Sequence, residues 1–152
     1  MNRSRRRALK AGGVLALLMA AGIQPARAQA QQWNQAAFSG KTLREALQAL
    51  GAQSPAASDL VAIKAPEIAE NGAVVPVAVE SRLPGTQSIT LLIEKNPLPL
   101  AASFDIPSGT EPSVSTRVKM GESSDVYALV KADGKYYFAK KEVKITIGGC
   151  GG

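Results

Sequence analysis

The chain has 152 residues, with 18 lysines and arginines against 12 aspartates and glutamates, a formal charge of +6, one cysteine and no histidine. Without histidine there are no Ser-His-Asp triads, no Cys-His pairs and almost no zinc or copper sites. No run of clustered carboxylates offers an all-oxygen cage, so neither a metal nor a cofactor is expected.

Residues 1–30 read as an export signal. Arg5-Arg6-Arg7 forms a basic start, and the apolar stretch from Gly12 to Ile23 is too short to cross a bilayer as a stop-transfer helix. Two small-x-small sites follow Pro25, so cleavage falls after Ala28 or Ala30, with Ala30 favoured. The order Ser4-Arg5-Arg6-Arg7-Ala8-Leu9-Lys10 is that of a twin-arginine signal, which moves folded proteins across a bacterial inner membrane. Ala8 stands where a bulky apolar residue is usual, which leaves an ordinary secretory signal as the other reading. Either places the mature protein in the periplasm. Arg3, Arg5, Arg6, Arg7, Lys10 and Arg27 lie in this segment and no acid does, so residues 31–152 are neutral overall. That removes a general polyanion-binding field, and nucleic acid is not an expected partner.

Residues 31–147 suffice for one domain with a core and leave no room for a second. Gln31 to Ser39 has no clear period and reads as a lead-in. Thr42 with Glu45 forms a capping-box pattern, Leu43, Leu47 and Leu50 share a face, and Gly51 supplies a stop, which predicts a helix of about ten residues. That leucine face packs either on the domain or on a second subunit. From Leu60 onward, short apolar or alternating runs are broken by turn residues: Leu60 to Ala65, Ala73 to Glu80, Ser88 to Glu94, Val114 to Met120, Asp125 to Ala132 and Lys135 to Ile147, with Leu98 to Phe104 as a weaker seventh. Six to seven strands after a short helix predict a mainly β, immunoglobulin-like sandwich. Pro76 is expected at an edge or bulge, and Asp133-Gly134 in a two-residue hairpin. Val143, Ile145 and Ile147 alternate with Lys144 and Thr146, so one face of the last strand enters the core.

Gly148-Gly149-Cys150-Gly151-Gly152 then reads as a flexible arm, residues 148–152, carrying one thiol. Four glycines give the sulfur no fixed rotamer and nothing apolar to pack on. An unpaired cysteine in an exported protein is a reactive thiol or an intermolecular bridge. Gly148 and Gly149 carry it about 7 Å past the last strand, enough to enter a partner's cleft. Cys150 is third from the end, which does not fit prenylation, and lipoprotein cysteines lie at the mature N-terminus, so no lipid anchor is expected. A free thiol titrates near about 8.5, and nothing in the arm lowers that. Activation therefore comes from a partner enzyme or from Lys140, Lys141 or Lys144, which suits a covalent carrier better than an enzyme.

The stretch from Val143 to Gly152 resembles the C-terminus of the SoxY family, the cargo-bearing subunits of the bacterial sulfur-oxidising Sox carrier. The resemblance extends through Lys64 to Val77, Glu94 to Pro97 and Ser115 to Gly121. It implies that Cys150 takes up thiosulfate as a cysteine S-thiosulfonate through a haem-containing enzyme. A hydrolase then releases sulfate and a third enzyme oxidises the remaining sulfane sulfur. It also implies a heterodimer with a SoxZ-like subunit that lacks its own export signal, with a dimer of dimers open to it through a Cys150 disulfide. Glu67 and Glu70, in the matched Pro66 to Asn71 turn, read either as solvated charges or as partner guides, with solvated charges favoured. Two other functions remain open at this point. One is a cytoplasmic β-grasp carrier with a thiocarboxylate on Gly151-Gly152, and the other a periplasmic scaffold in which Cys150 only makes a disulfide-linked dimer.

Overall fold

The computed structural model describes residues 34–146. The expected signal at 1–30, Ile147 and the arm at Gly148, Gly149, Cys150, Gly151 and Gly152 lie outside the described residues.

Among the described residues two short helices come first. Asn34 caps α1 (Gln35–Ser39): its side-chain oxygen accepts from the Ala37 N–H at 3.1 Å, and its amide nitrogen donates to the Ala49 carbonyl at 2.8 Å. This corrects the lead-in expected over Gln31 to Ser39, since five residues are too few to display a helical period and the readable sign is the cap itself. In α2 (Leu43–Ala49) the Thr42 hydroxyl accepts from the Glu45 N–H at 3.2 Å, as expected. The Glu45 carboxylate reaches the Lys41 N–H at 2.8 Å, one residue before the partner a reciprocal capping box uses. The helix closes with bonds from Ala52 N–H to the Leu47 carbonyl and from Gly51 N–H to the Gln48 carbonyl, with Gly51 at φ +75°.

Nine strands follow among the described residues: β1 (Ala56–Ala57), β2 (Val61–Lys64), β3 (Ile68–Ala69), β4 (Val75–Ser81), β5 (Thr86–Ile93), β6 (Leu100–Asp105), β7 (Ser113–Val118), β8 (Ser124–Ala132) and β9 (Lys135–Ile145). The seven longer ones are those expected, with ends shifted by a few residues. The larger sheet has the order β1-β9-β8-β5-β6 with β3 also on β9, and the smaller has the order β2-β4-β7, so the mainly β sandwich expected from the sequence is the fold observed.

Val75, Val77 and Val79 of the small sheet share one core with Ile89, Leu91, Ile93, Val126, Ala128 and Val130 of the large sheet, all buried. Each large side chain there contributes about 1.5–3 kcal/mol by leaving water. Strand β5 is buried on both faces, because Leu92 points outward with Leu129 into a second cluster with Ala37, Ala46 and Ala52. Leu43, Leu47 and Leu50 lean on that cluster, so the leucine face of α2 covers the outside of the large sheet.

Pro76 departs from expectation. Its strand is central in the small sheet, but β2 ends at Lys64 opposite Ala78, so Pro76 lies past that strand and pairs only with Arg117 of β7. The missing N–H is tolerated there because the neighbour strand has stopped. The Asp133-Gly134 hairpin is as expected, with φ 47° and 74° between the paired Ala132 and Lys135, the signature of a type I′ turn.

Candidate functional site

The described chain leads to the expected thiol through the end of β9. Val143 is fully buried, Ile145 half-buried, and Lys144 and Thr146 exposed, which is the predicted alternation. Pairing with β8 stops at Val143, opposite Ser124. The next three residues are held by other means. Strand β3 runs parallel to them, with Ile68 opposite Lys144 and Ala69 opposite Ile145. Lys144 N–H donates to the Glu67 carbonyl at 2.9 Å and Thr146 N–H to the Ala69 carbonyl at 3.2 Å. From the other side, Ile145 N–H donates to the Ser123 hydroxyl at 2.9 Å. Every backbone donor from Lys144 to Thr146 is thereby satisfied.

Other loops close around this point. Met120 N–H donates to the Gly72 carbonyl at 2.7 Å, and a Cβ on Gly72 would lie 2.5 Å from the Met120 oxygen and 3.2 Å from Ile145 Cγ2. The Asn96 side chain donates to the Lys119 carbonyl at 2.7 Å and accepts from Gly121 N–H at 3.1 Å. The four stretches that carried the family resemblance, far apart in sequence, therefore meet at one end of the sandwich. Sequence reasoning missed β3, Ser123 and the tight contact at Gly72. Asn71-Gly72 is readable as a turn, but its neighbours across the fold are not.

The three lysines proposed as helpers of the thiol separate clearly. Lys140 Nζ is bound to Asp125 Oδ2 at 2.6 Å and stands 5.8 Å from the Tyr127 ring centroid. That hydrogen bond, together with the charges around it, raises the Lys140 pKa. Burial and the Glu94 carboxylate 3.4 Å away push the Tyr127 phenol up. Lys141 Nζ donates to the Ala65 carbonyl at 2.7 Å. Lys144 stays exposed beside the strand end. Glu67 contributes its backbone carbonyl, while the Glu67 and Glu70 side chains are exposed. Among the described residues no group of three potential metal ligands comes together, and no helix is long and apolar enough to cross a membrane. An apolar cavity of about 170 Å³ under α2 is lined by Leu43, Leu47, Leu92, Tyr127, Leu129 and Phe138, and Pro55 completes its wall.

Fold and site define a class: a small two-sheet sandwich whose last strand is fastened at its tip just before a glycine-flanked lone cysteine. A family model described as sulfur oxidation protein SoxY matches residues 46–150, a span that includes Cys150. The chain belongs to the SoxY family. Among solved structures it is similar to the sulfur carrier protein SoxY from Chlorobium limicola f thiosulfatophilum, at 41% identity over 74% of this chain and 99% of that one, with a TM-score of 0.63. It is also similar to a superoxide reductase (neelaredoxin) from Ignicoccus hospitalis, at 21% identity over 69% of this chain and 93% of that one, with a TM-score of 0.51, a likeness of fold alone. No curated protein matches.

Proposed function

We propose that this protein is a periplasmic sulfur carrier of thiosulfate oxidation that holds its cargo covalently on Cys150, on a swinging arm formed by Gly148, Gly149, Gly151 and Gly152. The observation that carries this reading is the lone cysteine, flanked by glycines, directly after a strand tip held on both sides. Membership of the SoxY family and the likeness to a structure titled a sulfur carrier support it. A two-sheet sandwich is not the β-grasp that the Gly151-Gly152 thiocarboxylate alternative requires.

The chemistry asks little of the carrier. Loading joins the Cys150 sulfur to the outer sulfur of thiosulfate, releases one proton and passes two electrons to a haem-containing oxidising enzyme. Water then splits the S–SO3 bond on a hydrolase, leaving a persulfide on Cys150 and sulfate in solution. A third enzyme oxidises that persulfide sulfur. The carrier supplies a nucleophilic thiolate and a tether, and no catalytic group of its own. Since Lys140 and Lys141 are bound elsewhere, activation of the thiol falls to those enzymes or to Lys144. Residues 1–30 act as a twin-arginine signal, and the mature chain works as a heterodimer with a SoxZ-like subunit, crossing the membrane with it as a folded pair.

Cys150→Ser tests the proposal. In a system reconstituted with the second subunit and the three enzymes, thiosulfate-dependent oxygen uptake should vanish while the thermal midpoint stays. The intact mass of purified wild-type protein should fall by sulfur-containing groups on reduction. A Cys150→Ser chain that still supports uptake would sink the carrier reading in favour of a scaffold.

A further inference from the structure

We propose that residues 65–69, Gly72 and Ser123 form a collar that fixes the pivot of the arm at Thr146, with Lys141, Gly72 and Ser123 as positioning residues for delivery of Cys150. The inference rests on the carrier reading. Strand β8 ends its pairing at Val143, so without further support the free tether would begin at Lys144. Instead the amides of Lys144, Ile145 and Thr146 are each bonded, alternately to the Glu67–Ala69 backbone and to the Ser123 hydroxyl.

Three residues in this region are hard to explain by folding alone. Lys141 occupies an inward-facing position of β9, in step with Ala139 and buried Val143, where an apolar side chain would be expected. Its ammonium reaches the Ala65 carbonyl at 2.7 Å and ties the start of the collar to the strand it surrounds. Gly72 is absent from the positive-φ glycines, so its backbone does not demand glycine. Only the space does, because a methyl group would strike the Met120 carbonyl and crowd Ile145. Ser123 stands just before β8 begins and substitutes a hydroxyl for the strand partner that Ile145 has lost.

The consequence is a tether of set length and direction. Cys150 lies four residues past Thr146, so it reaches about 14 Å from the pivot. Opening the collar would free residues 144–146 and add about 10 Å of reach. The freed residues must be ordered again in a partner's channel, and weakening the collar should cost about tenfold in productive engagement.

The test uses the full mature chain with its second subunit and compares Ser123→Ala and Lys141→Met with the conservative Ser123→Thr and Lys141→Arg. Amide hydrogen exchange at Lys144, Ile145 and Thr146 should quicken by about tenfold or more in the first pair. The apparent KM for sulfur loading of the carrier by the oxidising enzyme should rise about tenfold with kcat within about twofold, and the conservative pair should restore both. Unchanged exchange at those three amides overturns the collar, and so does faster exchange with an unchanged KM. Cys150→Ser in the same assay keeps the two ideas apart. Loading that persists in Cys150→Ser defeats the carrier reading, whereas normal kinetics in Ser123→Ala with loading lost in Cys150→Ser defeats the collar alone.

Discussion

The two ends of the sandwich are built in different ways. At the end away from the arm, Asp133-Gly134 turns β8 into β9 within two residues, and Gly85 accepts the Asp133 amide while Thr86 and Ser81 share a hydrogen bond. At the arm end the contacts join residues remote in sequence: Lys144 to Glu67, Met120 to Gly72, Asn96 to Lys119 and Gly121. The first end is made of tight turns, with one bond from Asp133 to Gly85 joining two of them, and substitutions there should act on stability alone. The second depends on chain segments arriving from across the fold, and substitutions there should act on what the arm can do.

Replacing Gly148 and Gly149 together by proline should have the largest effect on function. On the carrier reading, stiffening the tether should lower thiosulfate-dependent turnover by about a hundredfold while the thermal midpoint moves by less than about 1 °C. An equal loss of both quantities would mean that the arm packs into the fold. In the core both ends share, Leu91→Ala should cost about 3 kcal/mol in a denaturant titration and leave the loading kinetics of the remaining folded protein intact. At the hairpin end, Gly134→Ala forces a side chain onto φ +74° and should cost about 1 kcal/mol, or about 4 °C, with unchanged turnover. A change in turnover from that variant would break the division between the ends.

The smallest effect concerns pH. Lys140 and Tyr127 both have raised pKa values in the fold, so their contribution is fully present below their ordinary titration range and is lost as pH rises through the raised values. Stability should therefore decline above about pH 10, and a Lys140→Gln, Tyr127→Phe double variant should flatten that alkaline limb in melting curves taken across it. The same variant should leave the alkylation rate of Cys150 unchanged, because Lys140 is already held by Asp125.

The contrast between the ends also explains what could be read in advance. Thr42, Glu45 and Gly51 announce their helix, and Asp133-Gly134 its turn, because the interactions lie within a few residues. Pro76 signals a place without a ladder hydrogen bond, and it occupies one, but beside a strand that has stopped rather than at an edge or bulge, because the length of β2 decides where the ladder stops and no residue near Pro76 records it. The segment from Pro66 to Asn71 looks like a solvated turn on composition, yet Ile68 and Ala69 pair with the far end of the chain. Lys140, Lys141 and Lys144 are alike in sequence and distinct only once Asp125 and Ala65 are placed. Cys150 stands out in the sequence for the opposite reason, since glycine neighbours offer no side chain to pack against, and it lies outside the described residues.

Strand β9 has one more consequence, in the order of events during folding. It pairs with β8, β1 and β3, so pieces from the early part of the domain wait for the last strand before they find a partner. Contacts of such long sequence separation form late and slowly. A nascent chain stopped before Lys135 has no partner for β1 or β3 and leaves one edge of β8 bare, so it stays open to proteases. Folding of the large sheet is thus timed by the strand that leads in sequence to Cys150, and a chain in which every strand has its partner has been made at least as far as residue 145.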